Sequence, residues 1–219
     1  MATAADLSII IPTLNAAAFL PRTLATLENH GEIIIVDGGS TDSTHEQAVT
    51  LGARVLTTPR GRGTQLAAGI AAATRPWLLL LHADTRLSPD WWSERPADTA
   101  HAGYFRFVLD SDAPQARRLE RLVAWRGRVL GLPYGDQGLL IHRDLLRSVG
   151  GMRPLPLMED VDLVRRLGRH RLVPLAADAV TSAHKWETQG YLRRSARNLL
   201  CLSLWFAGVP PEKIQRLYG

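Results

Sequence analysis

One cysteine, Cys201, occurs in 219 residues, which excludes an internal disulfide and a cysteine metal cluster and gives no reason to expect an oxidising compartment. No apolar run approaches the ~20 residues of a membrane-spanning helix, and residues 1–6 lack the basic region of a secretion signal. A cytoplasmic location is the expectation. The glycine signatures of two nucleotide sites are also missing: Gly61-Arg62-Gly63 lacks the third glycine of a dinucleotide turn, and no Gly-Lys-Ser/Thr of a P-loop occurs. Dinucleotide redox chemistry and P-loop hydrolysis are therefore poor readings. Internal repeats, low-complexity linkers and a nucleic-acid signature are absent, so no nucleic-acid partner is expected.

What is present fits one globular domain over 1–219, with 46% hydrophobic and 21% charged residues to build a core and a solvated surface. The net charge of +5 comes largely from arginine and favours anionic partners such as phosphates. Apolar runs alternate with helical patterns through the first half: strands at Leu7–Ile11, Ile33–Val36 and Val55–Thr57, and helices from Asn15, as N-cap, to about Leu27, from the Asp37–Thr44 loop to about Leu51, and over Thr64–Ala73. That alternation predicts a parallel sheet with helical crossovers. In the second half, Ala102–Leu109 alternates and is rich in aromatics, like a strand with one exposed or ligand-facing side. Pro114–Leu130 reads as an amphipathic helix expected to turn its apolar side into the core and its arginines to water, ahead of lying on a membrane. Leu139–Ile141 and Leu172–Ala177 read as strands; Asp144–Val149, Glu159–Gly168 and Tyr191–Phe206 read as helices, with a short one after Pro211.

The stretch Trp77–Thr85 (WLLLLHADT) reads as a buried central strand that delivers a carboxylate and an imidazole to the end of the sheet where ligands collect. Asp84 is the natural ligand for a hard divalent cation, which needs few protein acids when a diphosphate brings the rest. His82 is a second candidate ligand, or a hydrogen-bonded structural histidine. Thr13, Asn15, Asp37 and Ser40 fall at neighbouring strand ends where a nucleotide can sit against helix N-termini. Asp37 either meets a ribose or base or holds the Gly38-Gly39 turn. Arg60 and Arg62 either clamp a diphosphate or stay in water. Glu159, Asp160 and Asp162 crowd one helix start, and crowded carboxylates raise one another's pKa, one route to a general base.

The ordered set Ile9-Ile10-Ile11-Pro12-Thr13-Leu14-Asn15, Val36-Asp37-Gly38-Gly39-Ser40-Thr41-Asp42, Gly61-Arg62 to Gly69, Leu81-His82-Ala83-Asp84-Thr85, Gly135-Asp136-Gln137-Gly138 and Met158-Glu159-Asp160 resembles the family 2 glycosyltransferases of GT-A fold. Within them it resembles the small bacterial subgroup described as radical-SAM/selenodomain-associated transferases. The resemblance implies an α/β fold with a mostly parallel central sheet flanked by helices, a nucleotide-sugar-binding half at about 1–85 and an acceptor half with C-terminal helices at about 86–219. It implies inverting, hexosyltransferase-like transfer from a UDP- or GDP-sugar with Mn2+ or Mg2+. Pro12, Thr13, Asn15, Asp37, Ala83 and Asp84 would border the donor, Arg62 would reach its phosphates, and Asp84 would hold the metal in a DxD-like element whose first acid is here His82. Asp160, then Glu159, would be the base that takes the acceptor proton. Asp136 and Gln137 would line the acceptor or sugar pocket, and His184 would be a further metal or phosphate ligand.

The alternatives are a sugar-phosphate nucleotidyltransferase, whose glycine-rich loop is missing after the first strand, and a noncatalytic nucleotide-binding module. The arginine-rich and C-terminal helices permit a lipid or isoprenoid acceptor and peripheral contact at the inner face of a membrane. They equally permit an oligomer interface or plain core packing.

Overall fold

A computed structural model describes residues 6–218; residues 1–5 of the segment read for a secretion signal lie outside it. The first half runs β1 (Leu7–Thr13), α1 (Leu20–Ala25), β2 (Glu32–Asp37), α2 (Thr44–Thr50), β3 (Arg54–Thr57), α3 (Arg62–Ala72) and β4 (Trp77–Leu80). β1 pairs in parallel with β2 and β4, and β2 with β3, the half expected from the alternation. Every residue of β1 is buried, because both faces are covered. Ile9 and Ile11 pack with Leu20 and Leu24 of α1 on one side, and Ile10 packs with Leu66 of α3 on the other. Each such side chain contributes roughly 1.5–3 kcal/mol on burial. The α3 face lies so close that a Cβ on Gly69 would collide with Ile10 Cγ2.

The second half runs β5 (Thr85–Leu87), β6 (Ala102–Leu109), α4 (Pro114–Trp125) with a π-helical extension at Arg126–Leu130, β7 (Leu139–His142), α5 (Arg143–Ser148), α6 (Glu159–Leu167), β8 (Leu172–Thr181), α7 (His184–Gln189), α8 (Tyr191–Phe206) and α9 (Pro211–Tyr218). The eight strands form one sheet in the order β3-β2-β1-β4-β7-β6-β8-β5. β4–β7, β7–β6 and β8–β5 are antiparallel, and β6–β8 is parallel.

Several sequence expectations are corrected by this arrangement. Asn15 caps no helix: it sits at φ 51° and the helix begins at Leu20. The strand Ala102–Leu109 has no exposed face, only an exposed Arg106, because Phe105 packs with Trp91 and Leu140, Ala102 and Tyr104 with Leu139 and Leu172, and Phe107 and Leu109 with α4. β8 reaches Thr181, and β5, too short to show a pattern, pairs with its end. Among the described residues no helix is long and apolar enough to cross a membrane.

Helices α8 and α9 clamp the segment that leads into α6. Cys201 and Ile214 bury Leu157, Met158 and Val161, and Met158 takes a left-handed φ of 65° immediately before Glu159.

Candidate active site

The ends of β1 and β2 are tied into one loop system. Asp37, 3% exposed, accepts hydrogen bonds from the Thr13 and Ser40 hydroxyls and from the Gly39 and Ser40 amides. Four donors occupy the roughly four lone-pair positions of a carboxylate, so Asp37 holds the turn here. Asn15 Oδ1 accepts from Thr41 N–H at 2.8 Å, and Ser40 Oγ accepts from Asn15 N–H at 2.8 Å, so the left-handed Asn15 joins the two loops. Pro12 and Thr13 lie buried beneath them. Gln65, which no sequence motif singled out, crosses below: its Nε2 donates to Thr13 O at 2.8 Å and to Val36 O at 2.7 Å.

Burial pushes the Asp37 pKa up, but the Ser40, Thr13 and Gly39 hydrogen bonds outweigh it and hold the carboxyl below its ordinary 3.8. A depressed folded-state pKa adds stability that is present above the ordinary value and lost as pH falls through the folded one. Asp37→Asn is therefore expected to cost about 1–3 kcal/mol at pH 7 and progressively less on acidification below 3.8. Denaturant unfolding of both proteins across that range checks it, and a pH-independent difference would contradict it.

At the neighbouring strand end, Leu81 N–H still donates to Ile10 O at 3.1 Å, and then the chain leaves the sheet through His82, Ala83 and Asp84. Their backbone is pinned from two sides: Thr23 Oγ1 donates to Ala83 O at 2.8 Å, and Ser182 N–H donates to Asp84 O at 3.2 Å. The Asp84 carboxylate has no hydrogen-bond or ion-pair partner among the described residues. Burial and the neighbouring Arg62 push the His82 pKa down to about 4, so its imidazole is neutral near pH 7.

An unpartnered carboxylate and a neutral imidazole two residues apart are a donor set that fits a divalent cation. Among the described residues no three His, Cys, Asp or Glu side chains converge to hold an ion unaided, so phosphate oxygens and water would complete its shell. His184 is exposed at the start of α7. Its chain segment abuts Asp84 through Ser182, but no contact brings its ring there.

The three acids of α6 have separate surroundings. Asp162 is paired with Arg153 at 3.0 Å and Arg166 at 2.7 Å. Glu159, 1% exposed, receives Arg62 Nε at 2.7 Å, and its Oε2 has no partner. Burial pushes the Glu159 pKa up, with Arg62 opposing. Arginines thus divide the three acids that crowd together in the sequence. Asp160 lines the cleft beside Glu159 but is paired with no arginine: its Oδ2 accepts Gly135 N–H at 2.8 Å and its Oδ1 accepts Val161 N–H at 2.8 Å.

A Cβ on Gly135 would meet His82 Nε2 at 2.6 Å and Asp160 Oδ2 at 3.2 Å. The glycine is what lets His82 and Asp160 face each other across that loop. The cleft between them is walled by Leu66, Pro133, Tyr134 and Met152.

Of Asp136 and Gln137, the two residues of the Gly135-Asp136-Gln137-Gly138 loop expected at a ligand, only Asp136 lies near this chemistry. Burial pushes the Asp136 pKa up, against Arg126 and reinforced by Asp160, and its Oδ1 is sealed without a partner. Gln137, expected at a ligand, is instead 1% exposed and donates to Phe105 O at 3.1 Å, so it supports the loop from below. Arg126, another residue no motif flagged, lies 3.6 Å over the Tyr134 ring. Arg60 stays exposed in its loop.

Residues 8–112 match the family described as glycosyl transferase family 2. A PGL/p-HBAD biosynthesis glycosyltransferase of Mycobacterium bovis is 42% identical over 91 residues, covering 36% of each chain. The match thus spans about a third of that relative's length. Among solved structures, a mannosyltransferase from Pyrobaculum calidifontis in complex with GDP-mannose and Mn2+ superposes with a TM-score of 0.62 at 19% identity, over 88% of this chain and 59% of the other. Glucosyl-3-phosphoglycerate synthase from Mycobacterium tuberculosis, with Mn2+ and UDP-glucose, gives a TM-score of 0.60 at 20% identity, over 94% of this chain and 80% of the other. With the fold and the motif positions in place, residues 8–112 carry the glycosyl transferase family 2 match and the chain shares the GT-A fold of these solved structures.

Proposed function

We propose that the protein transfers a hexose from a nucleoside diphosphate sugar to an acceptor hydroxyl with inversion at the anomeric carbon. The observation that carries this reading is the placement of Asp160. It is the one acid of α6 left without an arginine, and Gly135 N–H holds it opposite the His82–Asp84 strand end. A direct displacement needs charge relief for the departing diphosphate on one side and a proton acceptor on the other. Asp84 with His82 would hold a divalent cation, which supplies that charge relief when bound. Asp160 then takes the acceptor proton. Asp37, Asn15, Pro12 and Thr13 shape the nucleotide's bed, Asp37 by fixing the loop. The solved structures that share the fold bind GDP-mannose or UDP-glucose with Mn2+, which supports a donor and a metal of these classes.

Glu159 has a different task in this reading. It takes Arg62 Nε, while the Nη groups of Arg62 have no protein partner among the described residues, so the fork is aimed and available for the diphosphate. Glu159→Gln is expected to raise KM for the donor roughly tenfold with kcat changed only a few-fold and the pH profile kept, since a positioning loss falls on binding. A collapse of kcat with loss of the basic limb would instead make Glu159 the base.

The reading as a whole is tested by calorimetric titration with UDP, GDP, UDP-glucose and GDP-mannose, with and without Mn2+. Failure of all four to bind in either condition would refute it.

A further inference from the structure

We infer that the outer face of α4 and its π-helical extension is a docking surface for an anionic lipid bilayer. The expected arrangement of this segment, apolar side inward and arginines outward, holds for only half of it. Ala116, Leu119 and Val123 pack on Phe107 and Leu109, and Gly127 lies against Tyr104. A second apolar row faces water: Leu122 is 58% exposed, Trp125 51%, Val129 44% and Leu130 50%. Their spacing of three and four residues puts Leu122, Trp125 and Val129 on one stripe. Exposed Arg118, Arg121 and Arg128 border it.

The charge of this face has one sign. Glu120, the sole acid between Pro114 and Leu130, is spent on Arg117 at 2.7 Å and on Leu109 N–H at 2.8 Å. An apolar stripe carrying an interfacial tryptophan and edged by unopposed arginines complements a bilayer whose surface is anionic and whose interior is apolar. Two copies of the face would bring their arginines together, which disfavours self-association through it. A phosphate backbone would answer the arginines and leave the leucines and valine in water.

The segment is also fastened to the cleft wall. Arg126 turns inward, its Nε donating to Leu132 O at 2.9 Å and its guanidinium stacking on Tyr134, and Pro133, Tyr134 and Gly135 line the cleft. An adsorbed α4 therefore sits one short loop from Asp160. The docking itself does not depend on the transfer reading and is tested without it.

The test is cosedimentation of the full chain with vesicles of phosphatidylcholine, with and without phosphatidylglycerol, at low and high salt. The expected result is binding to the anionic vesicles, weakened by salt. It should fall about tenfold or more in Leu122→Gln/Trp125→Gln and roughly a hundredfold in Arg118→Gln/Arg121→Gln/Arg128→Gln. Thermal unfolding confirms that these exposed substitutions leave the fold intact. No binding to anionic vesicles at low salt overturns the inference. So does full binding by the apolar variant, which would reduce the effect to nonspecific charge attraction, and so does a dimer in sedimentation equilibrium that the apolar variant dissolves.

Discussion

Asp160→Asn is expected to lower single-turnover transfer by roughly 10²–10⁴, the range that a positioned general base supplies, while the dissociation constant for UDP or GDP stays within a few-fold. Asparagine retains an oxygen that can accept from Gly135 N–H, so the loop facing His82 keeps one of the two bonds that Asp160 makes. The substitution removes proton-accepting capacity with little change of shape. Rapid-quench measurement with a working donor and acceptor pair, beside equilibrium binding of the nucleotide, separates the two quantities. Transfer at the unsubstituted rate would take the base role away from Asp160. Equal losses in transfer and nucleotide affinity would make it a binding residue instead.

The second large effect is expected at Asp84. Because its carboxylate has no protein partner, replacing it with asparagine should leave thermal stability within about 0.5 kcal/mol, as for substitutions away from structural features. The same change should remove the gain in nucleoside diphosphate affinity that Mn2+ provides, by about a hundredfold or more, since a bound cation contributes several kcal/mol of charge stabilisation at a phosphoryl oxygen. Calorimetric titration of UDP with and without Mn2+, on both proteins, reads this directly. Unchanged Mn2+ dependence would place the cation elsewhere. His82→Gln in the same assay shows whether the imidazole adds to the carboxylate.

These two positions show what the chain order makes legible. The run WLLLLHADT announces both its burial and its polar end, since a strand covered on both faces reads as an unbroken apolar stretch. The parallel half β3-β2-β1-β4 follows from the alternation of such strands with helical patterns. Motifs in order, from Pro12 to Asp160, point to the family and name the polar residues His82, Glu159 and Asp160 that line the cleft.

Side-chain roles were less legible, because a role depends on the partner opposite. Glu159, Asp160 and Asp162 look alike in sequence, and it takes Arg62, from a helix almost a hundred residues earlier, and the pair Arg153 and Arg166 to distinguish them. Asp37 and Gln137 carry the polar groups of ligand residues, yet folding spends those groups on the Asp37 turn and on the backbone of β6. Gln65 gives no local signal, since its partners are carbonyls supplied by distant segments, and Arg126 gives none because its carbonyl and ring partners meet it only where the chain turns back after α4. The second apolar row of α4 could not be read as exposed from periodicity, which reports that a helix has an apolar side and not how much of that side its neighbours cover.

The sequence by itself determined every strand but the short β5 and most helices, the half of the sheet that is parallel, and the motif positions, because short-range periodicity and turn chemistry act within a few residues. Only the tertiary structure decided that Asp160 is the acid of α6 left without an arginine, that Glu159 meets Arg62, and that Leu122 and Trp125 meet solvent. Ion pairing, hydrogen-bond saturation and burial are set by groups that the fold brings together from far along the chain.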